Sequence, residues 1–261
     1  MTFNGNPSLR RVVRGSEEGK YTSEDNSIVS MKGMALKSVI LCVVTIISAV
    51  LSAFLLLHFI DTANTEGLSA LIMVLAFSAI PLLIISFVIM FFPKTAGVLG
   101  FVYCVLEGVV MGVISALFDM LVLPGIALMA FLGTCVVFLV CWLVFTAVGK
   151  RLSSKFVKFV LVSFISMLIL EGVGFLLSWA IPAFAAIMNN IWIQLAVSAV
   201  MILWASFMIL IDLNNMHRLV ENRADKKYEW FAAFSLVTTL MWLYLEILEL
   251  LAKLALLAKR D

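Results

Sequence analysis

Five carboxylates, Glu107, Glu171, Asp212, Glu246 and Glu249, fall inside long runs of apolar residues. Placing an ionised carboxylate in hydrocarbon costs several kcal/mol, so each must be protonated, paired, or turned toward water held inside the protein. No Lys or Arg stands in the middle of those runs to pair with them. Two such acids held close together would share one proton and titrate as a unit, which makes a pH switch. Carboxylate oxygens along a hydrated path also suit hard cations such as Ca²⁺. The plainer reading of any one of them is a neutral acid hydrogen-bonded to a neighbouring helix, and it weighs most for Glu171 and Glu249. Asp119, after Phe118 at the end of a run, reads as solvated.

Other chemistry is not encoded. The chain has no G-x-S-x-G elbow, H-E-x-x-H pair, Walker loop or dinucleotide fingerprint, so no enzyme is expected. Its two histidines, His58 and His217, fall at opposite ends of apolar runs and cannot share a metal or a nucleophile. Cys42, Cys104, Cys135 and Cys141 lie within apolar spans without metal-ligand spacing and read as packing residues. No cofactor is expected beyond Ca²⁺ as a permeant ion, and no nucleic-acid partner follows from a net charge of +2.

The elements that must position the acids are membrane helices. Of 261 residues 64% are hydrophobic and 13% charged, and the mean hydropathy is +1.15, so the solvent is lipid. A bilayer core of about 30 Å takes roughly 20 apolar residues per crossing. Seven runs of that size span 38–60, 68–92, 98–118, 121–148, 156–181, 191–213 and 231–257. Short connections imply antiparallel neighbours in a single seven-helix bundle. Residues 1–35 are polar and lack the apolar core of a signal peptide; they read as a disordered cytoplasmic tail before a 36–261 membrane domain, with the first helix a retained signal anchor. Gly108 to Gly112, and Gly172 to Gly174, have the small-residue spacing that lets helices approach closely.

Basic residues set the orientation. Fifteen of the 18 fall before the first run or in alternate connections, among them Arg10, Lys37, Lys94, Arg151, Lys155, Arg218 and Lys227. The opposite connections hold Asp61, Glu66 and Asp119 and no Lys or Arg. The expected topology is N-terminus inside and C-terminus outside.

The segment IDLNNM around Asp212, followed by KKYEWFAAFSLVTTLMWLYLEILELL, resembles the Bax inhibitor-1 family, in its bacterial branch with the longer connection before the last helix. Leu106, Glu107 and Gly108, followed by Gly112, are similar to the glutamate-glycine signature of that family's third helix, and the N-terminal NPSL and the lead-in from Ser30 to Lys37 are also similar. The resemblance implies a seven-helix bundle with the last helix central, and a pH-sensitive Ca²⁺ leak across a membrane; the lack of transit or retention signals points to a bacterial inner membrane. It further implies a two-carboxylate sensor, matched by motif to Asp212 and Glu246, which are also the residues expected to meet Ca²⁺. Glu107, Glu249 and Glu171 are secondary candidates for the ion path. This chain has LYLE where many relatives have LYLD, and Glu249 where relatives more often carry a basic residue; Glu249 then serves as a further ligand or as a partner for Lys253 at i+4.

Spacing opposes a simple pair. Glu246 lies sixteen residues after Trp230, about 24 Å along a helix, whereas Asp212 lies about one turn before the polar NNMHR stretch. The two meet only if YEWFAAF lies at the interface or above the bilayer, with the sixth helix continuing past Asp212 and the seventh beginning effectively near Ser235. The alternative to conduction is a non-conducting interaction protein, binding a membrane protease or quality-control complex through the basic tail.

Overall fold

The computed structural model describes residues 28–147 and 151–259. Among these, eight α-helices follow one another: α1 (Met31–Asp61), α2 (Thr65–Phe91), a 3-10 turn (Pro93–Thr95), α3 (Ala96–Leu121), α4 (Ile126–Ala147), α5 (Ser154–Ala180), a short α6 (Pro182–Met188), α7 (Ile191–Glu221) and α8 (Tyr228–Ala258). Each expected run becomes one long helix; only α6, in the connection after Pro182, was not anticipated. Six of the long helices are apolar enough over 18 residues to cross a membrane. Phe54, Phe77, Val98, Leu121 and Trp179 stand exposed on their outer faces, where only lipid tails make a compatible solvent.

The seventh long helix, α8, is sheathed by protein. It packs against α1, α3, α4 and α7, and its inward residues Phe231, Ala232, Ala233, Val237, Leu243 and Leu248 are buried. A helix apolar nearly all round belongs in the middle of a bundle, so the expected central last helix is found.

Local chemistry explains the boundaries. The Ser30 side chain accepts from the Gly33 amide and starts α1. Asn64 does the same for α2 through Gly67, and Asn190 for α7 through Trp192. Asp119 accepts from the Ala127 amide at 2.9 Å and so ties the α3–α4 connection, a more definite role than a solvated end.

α1 and α3 form the most extensive helix pair. A Cβ on Gly108 would meet the Thr45 carbonyl oxygen, and one on Gly112 the Ala49 carbonyl oxygen and the Ser52 hydroxyl. The close approach lets Ser48 donate to the Val105 carbonyl at 2.8 Å and Ser52 to the Val109 carbonyl at 3.1 Å. Gly172 and Gly174 behave differently from the expectation: nothing lies within 4 Å of their Cβ positions, so they make no close helix contact.

Two boundaries differ from the sequence reading. α1 begins at Met31, and residues 28–30 are tied down, so the stretch from 28 to 35 is ordered; the remainder of the expected tail, 1–27, lies outside the described residues. α7 does continue past Asp212, as far as Glu221, but α8 begins at Tyr228 instead of near Ser235. YEWFAAF is therefore the buried first two turns of the central helix, with Phe231 in the core and Phe234 packed on Tyr103 and Gly100 of α3.

Candidate functional site

α7 and α8 form an antiparallel hairpin around the connection 222–227. Asp212 is nine residues from the end of α7; Ser235 and Thr239 are seven and eleven residues from the start of α8, so all three stand at one level. The Asp212 carboxylate is buried at 1% exposure. Ser235 Oγ donates to its Oδ1 at 2.9 Å and Thr239 Oγ1 to its Oδ2 at 2.7 Å. No Lys, Arg or His among the described residues forms an ion pair with it. Two hydroxyls on the central helix thus hold a buried acid that has no counter-charge among the described residues.

Thr239 has a second acceptor, the Ser235 carbonyl at 3.0 Å. Its single proton can serve either the carboxylate or the carbonyl. When Asp212 takes up a proton, the threonine hydroxyl can turn to the carbonyl and accept from the new carboxyl O–H. The latch therefore survives protonation, but its charge-assisted bonds become neutral ones, which are about half as strong.

Glu246 stands elsewhere. It is seven residues beyond Thr239, about 10 Å along α8. It is half-buried, and its Oε1 accepts from Trp242 Nε1 at 2.9 Å. Among the described residues no hydrogen bond joins it to Asp212, so the two acids do not share a proton in this arrangement. The cause is the hairpin register: with α8 starting at Tyr228, two more turns separate the glutamate from the level of Asp212.

The secondary acids divide. Glu249 is exposed and pairs with Lys253 at 2.6 Å, the i+4 partnership, while Lys253 also donates to Ser198 Oγ at 2.7 Å. Glu171 is exposed on α5. Glu107 is half-buried on α3, one residue before the close contact at Gly108. His58 and His217 occupy opposite ends of the bundle; His217 lies 3.2 Å from Glu221. The four cysteines are free, and Cys141 donates to the Ser206 carbonyl at 3.5 Å.

Sequence reasoning missed Glu229. Its carboxylate is 1% exposed, at the first turn of α8. Oε1 accepts from the Ser30 amide at 2.8 Å and from the Ser30 hydroxyl at 3.2 Å, and Oε2 meets Lys37 Nζ at 2.5 Å. Lys37 also lies over the Trp230 ring at 5.1 Å, and Trp230 packs on Phe101 of α3. Beside this cluster Ile28 bridges to Asp225, and the Val29 amide donates to the Ala224 carbonyl. The result is a clasp joining the lead-in to α1, the α7–α8 connection and the foot of α8. Two lysines before YEW made Glu229 look like part of an interfacial flank.

Seven long helices, a central last helix and a buried acid at its hairpin define an integral membrane bundle with a polar seam at its centre. A family model described as Bax inhibitor 1 like matches residues 6–256, and the chain belongs to that family. No curated protein and no solved structure matches it.

Proposed function

We propose that this protein mediates a pH-sensitive leak of Ca²⁺ or a related cation across its membrane, controlled at the α7–α8 seam. The observation that carries the reading is Asp212, a fully buried acid latched to the central helix by two hydroxyls and without an ion pair among the described residues. A carboxylate so placed has one reversible chemistry, gain and loss of a proton, and that event changes how firmly α7 grips α8. Acid weakens the latch; the seam loosens, and oxygen ligands become available to a hard cation. Glu246 is the second acid, on α8 where Asp212 is on α7; it stands about two turns beyond Thr239 and acts in series with Asp212. The proposed orientation places the clasp and Asp212 toward the cytoplasm of a bacterial inner membrane, following the basic residues.

The test is Ca²⁺ influx into proteoliposomes from pH 5 to 8, comparing wild type with Asp212→Asn plus Glu246→Gln. A pH-dependent flux that the double change flattens supports a carboxylate-controlled leak. No flux through well-folded wild type would replace it with a non-conducting interaction protein, such as a modulator of a membrane protease complex. Removal of residues 1–27 would then be expected to abolish the phenotype.

A further inference from the structure

Asp212 has a neighbour that the latch does not use. Asn215 follows it by three residues on α7, on the same face, and is completely buried. Its amide oxygen and its amide nitrogen are both without a hydrogen-bond partner among the described residues. Buried amides are almost always bonded, and an exception calls for a reason. Asn214, next to it, shows the ordinary solution: its Oδ1 accepts from the Leu152 amide at 3.0 Å. Asn215 instead keeps both groups free, one helical turn from an acid that lacks a counter-charge.

We infer that Asn215 is a cation ligand, supplying the second oxygen of a site whose first is Asp212. The inference rests on the proposed leak and names the residue that meets the ion beside Asp212, a place Glu246 is too distant to fill. Side chains three apart on a helix have β-carbons about 5–6 Å apart. A Ca²⁺-sized ion holds its oxygens at about 2.3–2.6 Å, so a carboxylate and an amide oxygen at that spacing can close on a single ion. The Thr239 hydroxyl already faces Asp212 and can turn its oxygen to the same ion. Because the amide makes no protein bond, turning its oxygen to a cation breaks none, and its N–H groups are left to the ion's own waters. The donor set is one carboxylate and neutral oxygens; among the described residues no three His, Cys, Asp or Glu side chains cluster. Such a weakly charged site binds an ion loosely, and only while Asp212 is ionised; the protonation that loosens the seam also removes the one charged ligand and releases the ion onto the path.

Binding of Mn²⁺ to the purified full-length protein in detergent, read by electron paramagnetic resonance, tests this without requiring flux. Wild type is expected to hold an Asp212-dependent Mn²⁺, lost in Asp212→Asn. Asn215→Leu should weaken binding by about tenfold or more, the scale on which even outer partners of a metal act. Its thermal midpoint should equal or exceed that of wild type, since an unbonded amide gives way to an apolar side chain. Asn215→Asp keeps the oxygen and adds charge, and should tighten binding about as much. Unchanged affinity in both variants, or the absence of any Asp212-dependent site, overturns the assignment. Should Mn²⁺ binding follow Asn215 while liposomes show no leak, the ligand stands and the transport reading falls; an Asp212-dependent leak without a binding site gives the reverse.

Discussion

Replacing Asp212 by Asn removes the charge from the α7–α8 seam while keeping its shape. In wild type two hydroxyls donate to an ionised oxygen each, at 2.9 and 2.7 Å. Bonds to charged groups contribute about 1.5–3 kcal/mol and neutral ones about 0.5–1.5 kcal/mol, so the exchange costs about 1–1.5 kcal/mol per bond. The amide nitrogen also offers a donor where a hydroxyl expects an acceptor, a conflict Thr239 relieves by turning to the Ser235 carbonyl at 3.0 Å. The seam is thus weakened by about 2–3 kcal/mol, equivalent to about a 30- to 140-fold shift in an opening equilibrium. Protonation of the native acid acts in the same direction, so the variant should leak at pH 8 as wild type leaks at low pH, with a flat profile between. Hydrogen exchange of the amides around 235–239 should accelerate in parallel. A variant that stays tightly closed at every pH, or keeps the wild-type pH profile, refutes the latch.

Glu229→Gln leaves Lys37, itself only 16% exposed, without its counter-charge, and should cost about 3 kcal/mol in thermal or denaturant unfolding, at the low end for a broken buried pair because a lysine can snorkel. Removing both charges together (Lys37→Met with Glu229→Leu) should cost less than the single change; a single change milder than the double would contradict the clasp. Gly112→Val drives a side chain into the Ala49 carbonyl, which cannot move without parting α1 from α3, and should destabilise by about 1–3 kcal/mol, whereas Gly172→Val, with open space around it, should be close to neutral. At the α7–α8 connection, burial alone would raise the Asp225 carboxyl, but hydrogen bonds from the Lys227 side chain and amide and the charges of Lys227 and Lys94 outweigh it and hold the carboxyl below the usual range. Its contribution is therefore fully present above about pH 4, the unfolded value, and is lost as the pH falls through the lower folded value. Hydrogen exchange at 222–227 should speed up over that acid window in wild type and be insensitive to it in Asp225→Asn.

The spans were legible because lipid demands apolar runs of a fixed length, and the Gly108–Gly112 contact because close helices demand missing side chains. The level at which Asp212 meets α8 was also within reach. Counting nine residues in from each side of the hairpin leads from Asp212 to Val237, between Ser235 and Thr239. The resemblance drew attention to a second acid instead, and the hydroxyls that hold the first went unremarked. Glu229 carried no local signal, since its meaning depends on Lys37, 192 residues away, and nothing in a single sequence connects the two. Asn215 reads as one more polar residue in NNMHR; both it and Asn214 are buried, and what sets it apart is that Asn214 is bonded to Leu152 while the Asn215 amide meets no partner among the described residues.

The clasp also dates the molecule's completion. A membrane protein is threaded into the bilayer from its N-terminus, so Ser30 and Lys37 are in place long before Glu229 is made. Until the last 31-residue helix arrives, α1, α3, α4 and α7 surround a gap, and the lysine at the foot of α1 waits for its partner. A chain that stops short of Tyr228 has all six of its lipid-facing helices and none of its centre. The ion pair at Glu229 is thus a contact that only the arrival of α8 can make, and until then the buried foot of α1 carries a cation without its partner.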